Sequence, residues 1–80
     1  MKRRRTDSVG KFSISSKGIE TSGGPTVGAA ISKAQTIASR IQLDGLEEGE
    51  DVRSIYVRLL GNEAVARIDV RRDCIETFAA

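Results

Sequence analysis

Apolar residues recur at steps of three and four in one window of the chain, Pro25 to Leu43. At roughly 100° per residue, Val27, Ala30, Ile31, Ala34, Ile37, Ala38 and Ile41 fall into one stripe about 120° wide. Thr26 is placed to act as N-cap, its hydroxyl accepting an N–H of the first turn, and Pro25 disfavours a helical Gly24. Gly45 suits a left-handed close that folds Leu46 back on Ile41. The pattern predicts a helix over about residues 26–43. A helix with a single apolar stripe needs a surface to lie on.

Alternation with period two supplies that surface. VRSIYVRLL and EAVARIDVR, within residues 52–71, flank Gly61-Asn62, a two-residue hairpin loop. Such a loop pairs Leu59 with Ala64, Val57 with Ala66 and Ile55 with Ile68, one apolar face on which the helix can sit. On the opposite face Tyr56, Arg58 and Leu60 alternate out of the first strand, and Val65 and Arg67 oppose them from the second. Tyr56 then stands across from Arg67, where a guanidinium can stack on the ring.

Two weaker patterns flank this unit. Residues 9–22 read as a short hairpin turning at Lys17-Gly18, with Ile19 and Thr21 on the same face as Phe12 and Ile14. Its serine-rich strands suit the edge of a sheet. Beyond Arg72-Asp73, CIETF can return as a further strand. Ile75 then meets Val70, and Asp69 faces Glu76, an unfavourable like-charge pair. The expected fold class is α+β: an antiparallel sheet of four to five strands with one helix packed on one face, in ββαββ or ββαβββ order.

Composition narrows the function classes. Eighty residues make one small domain: residues 1–8 read as a basic arm and 9–80 as a single α+β domain. Thirteen positive charges stand against eleven negative, but Lys2, Arg3, Arg4 and Arg5 carry four of the thirteen, leaving nine against eleven in the remainder. A basic arm on a mildly acidic body differs from a basic nucleic-acid-binding domain. The lone Cys74 and the lack of histidine exclude an internal disulfide, the usual zinc sets and the Cys-His or Ser-His-Asp nucleophile arrangements. Gly23-Gly24-Pro25 lacks the lysine of a P-loop, and no GxGxxG follows a strand. No run reaches the length of a membrane span, and the basic N-terminus lacks the apolar segment of a signal peptide. The expectation is a cytoplasmic protein that is not an enzyme and carries no cofactor.

Three surfaces are candidates for partners. The helix-free sheet face, with Tyr56, Arg58, Leu60, Val65 and Arg67, reads either as an ordinary outer face or as a platform for protein or for stacked single-stranded bases. The connector at residues 44–51, DGLEEGED, places Glu47, Glu48, Glu50 and Asp51 together without an adjacent base. It reads as a solvated link or as an acidic knob for a basic partner, and its spacing is not that of an EF-hand. The arm residues Lys2, Arg3, Arg4 and Arg5 either solubilise the chain or touch phosphates without reading sequence. The helix's outward strip, Gly28, Ser32, Gln35 and Ser39, is unusually small and smooth.

In pattern, GPTVGAAISKAQTIA (residues 24–38) followed by SIYVRLLGNEAVARI (residues 54–68) resembles small phage-encoded anti-CRISPR proteins. Some of these have a Gly/Pro-started alanine-rich helix, a YV-type strand, a Gly/Asn turn and a short apolar strand. The likeness covers roughly half the chain. It implies a single domain with a bent antiparallel sheet and one helix, acting as a non-enzymatic inhibitor. Such a protein docks on a CRISPR effector complex of the Cascade type and blocks target DNA. The basic arm departs from the acidic balance usual in the group. No site residues carry over. The alternative is a small nucleic-acid-binding module using the arm and the Tyr/Arg face.

Overall fold

The computed structural model describes residues 12–59 and 64–79. Among the described residues, five strands and one helix follow in ββαβββ order: β1 (Phe12–Ser16), β2 (Ile19–Gly24), α1 (Val27–Asp44), β3 (Val52–Leu59), β4 (Ala64–Arg71) and β5 (Ile75–Ala79). All strand pairs are antiparallel, in the spatial order β2-β1-β3-β4-β5. The α+β class and the third strand after the helix are therefore present. The basic arm at residues 1–8 and the turn at Gly61-Asn62 lie outside the described residues.

Helix α1 starts as its sequence dictates. Thr26 is extended, and its hydroxyl accepts the Ala29 N–H at 3.1 Å. The stripe meets the sheet through alanines: Ala30, Ala34 and Ala38 are wholly buried, while Ile31, Ile37 and Ile41 pack half-buried at the margins. Val27, the first helical residue, stays 44% exposed and leaves the stripe. The end also departs from expectation. Gly45 has positive φ (91°) but ψ of 147°, outside the left-handed helical well, and its N–H simply closes the last helical bond to the Ile41 carbonyl.

Large side chains on the sheet fill the space above small ones on the helix. Ile55, Val57, Ile68 and Val70 are fully buried beneath α1. The close approach continues at β2, where Gly23 is the extra residue of a bulge between the Phe12–Gly24 and Ser13–Ser22 pairs. A Cβ at Gly23 would stand 3.1 Å from the Ala30 Cβ and 3.3 Å from the Ile14 Cγ1. Gly23→Ala should therefore lower stability by about 1–3 kcal/mol through overpacking, read from urea unfolding. A neutral result would mean that helix and hairpin separate freely there.

The first hairpin forms around Lys17 and Gly18, both at positive φ (51° and 80°) as a two-residue primed turn requires. Ser16 pairs with Ile19 and Ile14 with Thr21, the expected shared face. Of the two serine-rich strands, β2 lies at the sheet edge, whereas β1 is interior, between β2 and β3.

The central hairpin keeps the expected register from Val52–Arg71 through Val57–Ala66 and then breaks it. Arg58, not Leu59, pairs with Ala64. This bulge leaves Val65 without a Cα partner and reverses the alternation beyond it. Val65 turns to the core side, where it packs half-buried, and Ala64 turns outward. Val65 thus leaves the outer face on which alternation alone placed it.

Candidate functional site: the helix-free sheet face

The face turned away from α1 is built from cross-strand rows. One row runs Ser15–Tyr56–Arg67–Phe78 over four strands, flanked by Ser13–Arg58–Ala64 and by Ser54–Asp69–Glu76. Tyr56 and Phe78 are 36% and 43% exposed. The expected pairing of Tyr56 with Arg67 is present, but the stacking partners differ. The Arg58 guanidinium lies over Tyr56 at 5.6 Å from the ring centre, and that of Arg67 lies over Phe78 at 4.7 Å. Strand β5 brings in the second ring, and Arg67 turns to it. Tyr56, Ala64, Arg67 and Phe78 line a shallow depression of about 250 Å³. Leu60 lies outside the described residues.

Charge on this face is largely settled within it. Asp69, 6% exposed, accepts from the Ser54 hydroxyl at 2.8 Å and pairs with Arg67 at 3.1 Å. Glu76 pairs with Arg71 at 3.2 Å. The feared opposition of Asp69 and Glu76 does occur, and each carboxylate is offset by its own arginine. Arg58 has no carboxylate partner among the described residues and lies over Tyr56, while Glu20 of β2 stands opposite Ser15 at the far end of the same row.

The acidic connector is not the free cluster that its sequence suggests. Arg53 grips Glu50 with two bonds, Nε at 3.0 Å and Nη2 at 2.7 Å. Lys17 from the hairpin turn pairs with Glu47 at 2.8 Å. Arg72 donates to the Glu47 and Glu50 carbonyls, and the Glu47 N–H donates to the Glu50 carboxylate at 3.0 Å. The Arg53–Glu50 pairing is local, at i,i+3, whereas Lys17 and Arg72 reach the loop from segments distant in sequence. Glu48 and Asp51 remain as exposed charges. Glu47 and Arg53 also line a cleft of about 450 Å³ on the helix side, walled by Ile14, Ile19, Ile37, Ile41 and Ile55. The connector and the Tyr/Arg face therefore lie on opposite sides of the sheet. They do not form one site.

Bonding to Arg53, then to the Glu47 backbone, lowers the Glu50 carboxyl from its ordinary 4.5 to about 2. A carboxylate depressed in the folded state stabilises above its unfolded pKa. That contribution is lost as pH falls through the folded value. The window is therefore pH 4.5 down to about 2. Glu50→Gln should flatten the fall in stability across that window, measured by thermal melts along a pH series. A fall as steep as wild type would assign acid sensitivity elsewhere.

Cys74 is exposed just before β5. Desolvation, with the neighbouring Asp73 and Glu76 carboxylates, pushes its thiol above the ordinary value, away from the nucleophilic thiolate. No helix among the described residues is long and apolar enough to cross a membrane. The chain matches no family model, no curated protein and no solved structure.

Proposed function

We propose that the chain is a non-enzymatic binding protein that docks on a protein partner through its helix-free sheet face. The carrying observation is the contiguous patch of Tyr56, Arg58, Arg67 and Phe78, two exposed rings each covered by a guanidinium. Aromatic and arginine side chains over a depression match the composition of interface cores, in which other charged residues are depleted. The partner is proposed from the anti-CRISPR resemblance: a Cascade-type effector whose target-DNA binding the chain blocks. The acidic connector contributes less steering charge to this reading than its sequence implies, because Glu47 and Glu50 are already paired.

A nucleic-acid-binding module is the second reading, favoured by two rings on one sheet beside Arg58, which has no carboxylate partner among the described residues. Against it, Arg67 and Arg71 are offset by Asp69 and Glu76. Titrating the purified chain into a Cascade-type effector with labelled target DNA tests both. Loss of DNA binding by the effector, with no binding of the chain to single-stranded DNA or RNA at physiological salt, is the expected result. Tight nucleic-acid binding by the chain alone, weakening steeply with salt, would replace the first reading with the second.

A further inference from the structure

The two sheet edges are unequal. At β2 the edge is interrupted by the bulge at Gly23, and the Lys33 ammonium of α1 donates to the Ser22 carbonyl at 2.7 Å. A bulge and a lysine are standard guards against strand addition. Strand β5 has neither, nor a proline, and its register with β4 is unbroken from Ala66–Ala79 to Val70–Ile75. Its one charge, Glu76, is engaged by Arg71. Gln35, whose amide reaches the Thr77 hydroxyl at 3.3 Å, marks the flank of α1 above β5, and Ser32 and Ser39 on that flank are short.

Ladder geometry says which β5 groups are open. The Arg71 N–H donates to the Cys74 carbonyl at 2.8 Å, making this a hydrogen-bonded pair. Bonded and non-bonded pairs alternate along an antiparallel ladder. Cys74, Glu76 and Phe78 therefore turn their backbone groups toward β4, and Ile75, Thr77 and Ala79 turn theirs to the open edge.

We propose that β5 is a self-association edge, at which a second copy of this chain adds its own β5 antiparallel about a two-fold axis at Thr77. Thr77 of each copy then opposes Thr77 of the other, and Ile75 opposes Ala79. These are the residues whose N–H and C=O groups point outward, so both edges are satisfied together. Charge agrees with this register. Glu76 opposes the second copy's Phe78, over which that copy's Arg67 guanidinium lies. An axis at Glu76 would instead set two carboxylates face to face. The product is one continuous sheet whose helix-free sides join. The proposal goes beyond docking by the outer face and stands without it.

Sedimentation equilibrium of the full chain tests the edge. The expected mass is twice the 8.6 kDa of one chain, approached as concentration rises. Thr77→Pro removes an N–H that β4 does not use, a position where edge strands accept proline. It should return the mass to that of one chain while circular dichroism stays unchanged. Amide exchange on the unsubstituted chain gives a second reading. Exchange at Ile75, Thr77 and Ala79 should slow at least about tenfold between dilute and concentrated samples, with Glu76 and Phe78 protected in both. A single-chain mass at millimolar concentration would overturn the proposal. So would a dimer in which those three amides exchange at a rate independent of concentration, whether or not the proline variant folds.

Discussion

Replacing Ile68 by Ala should lower the free energy of unfolding by about 3–4 kcal/mol. Ile68 is fully buried at the centre of β4, paired with Ile55 on one side and Thr77 on the other, beneath the alanine stripe of α1. The cavity cannot collapse easily. Ala30, Ala34 and Ala38 are too short to follow into it, and Ile55, Val57 and Val70 are held by the ladder. For a chain of this length total stability is on the order of 4–12 kcal/mol, so the variant stands near the edge of folding. Ile31→Ala should cost about 1–2 kcal/mol, because that side chain is only half-buried at the margin of the seat. Urea unfolding at unchanged m-value measures both. Equal losses would mean that the helix lies centred on Ile31 instead of on its alanines.

The periodicities that predict α1, β3 and β4 survive because pattern, caps and register agree there. Thr26 caps as its chemistry requires, and Ile55 meets Ile68 as a two-residue loop implies. Departures arise where one inserted residue changes the count. At Val65 the bulge reverses which side chains face out, and no composition cue marks it, since Ala64-Val65-Ala66 is apolar throughout. At Gly23 the bulge coincides with a glycine whose missing Cβ admits the helix, a cue legible only once α1 is placed over it.

The helix-free face is partly legible for the same reason. Alternation gave Tyr56, Arg58 and Arg67, which are local to one hairpin. Phe78 entered only through the pairing of β5 with β4, and it captured the Arg67 guanidinium that sequence reasoning assigned to Tyr56. The connector shows the converse. Arg53, three residues on, pairs with Glu50, Lys17 comes from the first hairpin to Glu47, and Arg72 binds the loop's backbone carbonyls. A charge cluster that looks unpaired in sequence is paired in space. Of the four, Glu48 and Asp51 have no ion-pair partner among the described residues.

Phe78→Ala and Tyr56→Ala should each weaken partner binding by about 10- to 100-fold, the range of an interface anchor. Both rings are more than a third exposed, so their loss should leave the unfolding midpoint nearly unchanged. The weakening should appear in the dissociation rate, because truncating an anchor removes contacts that form after encounter. Arg67→Ala is a poorer probe. It also strips the buried Asp69 carboxylate of its ion pair and leaves Ser54 as partner, so its loss mixes binding with stability. Arg58→Ala avoids that difficulty, since among the described residues Arg58 bonds no buried acid and touches the face through Tyr56. Replacing Glu48 and Asp51 by neutral residues should leave dissociation unchanged and slow association only modestly at low salt. Surface-immobilised effector complex, with both rate constants read across a salt series, separates these effects. Unchanged dissociation in both aromatic variants, with association slowed by the acidic changes, would move the docking surface from the Tyr/Phe face to the connector side.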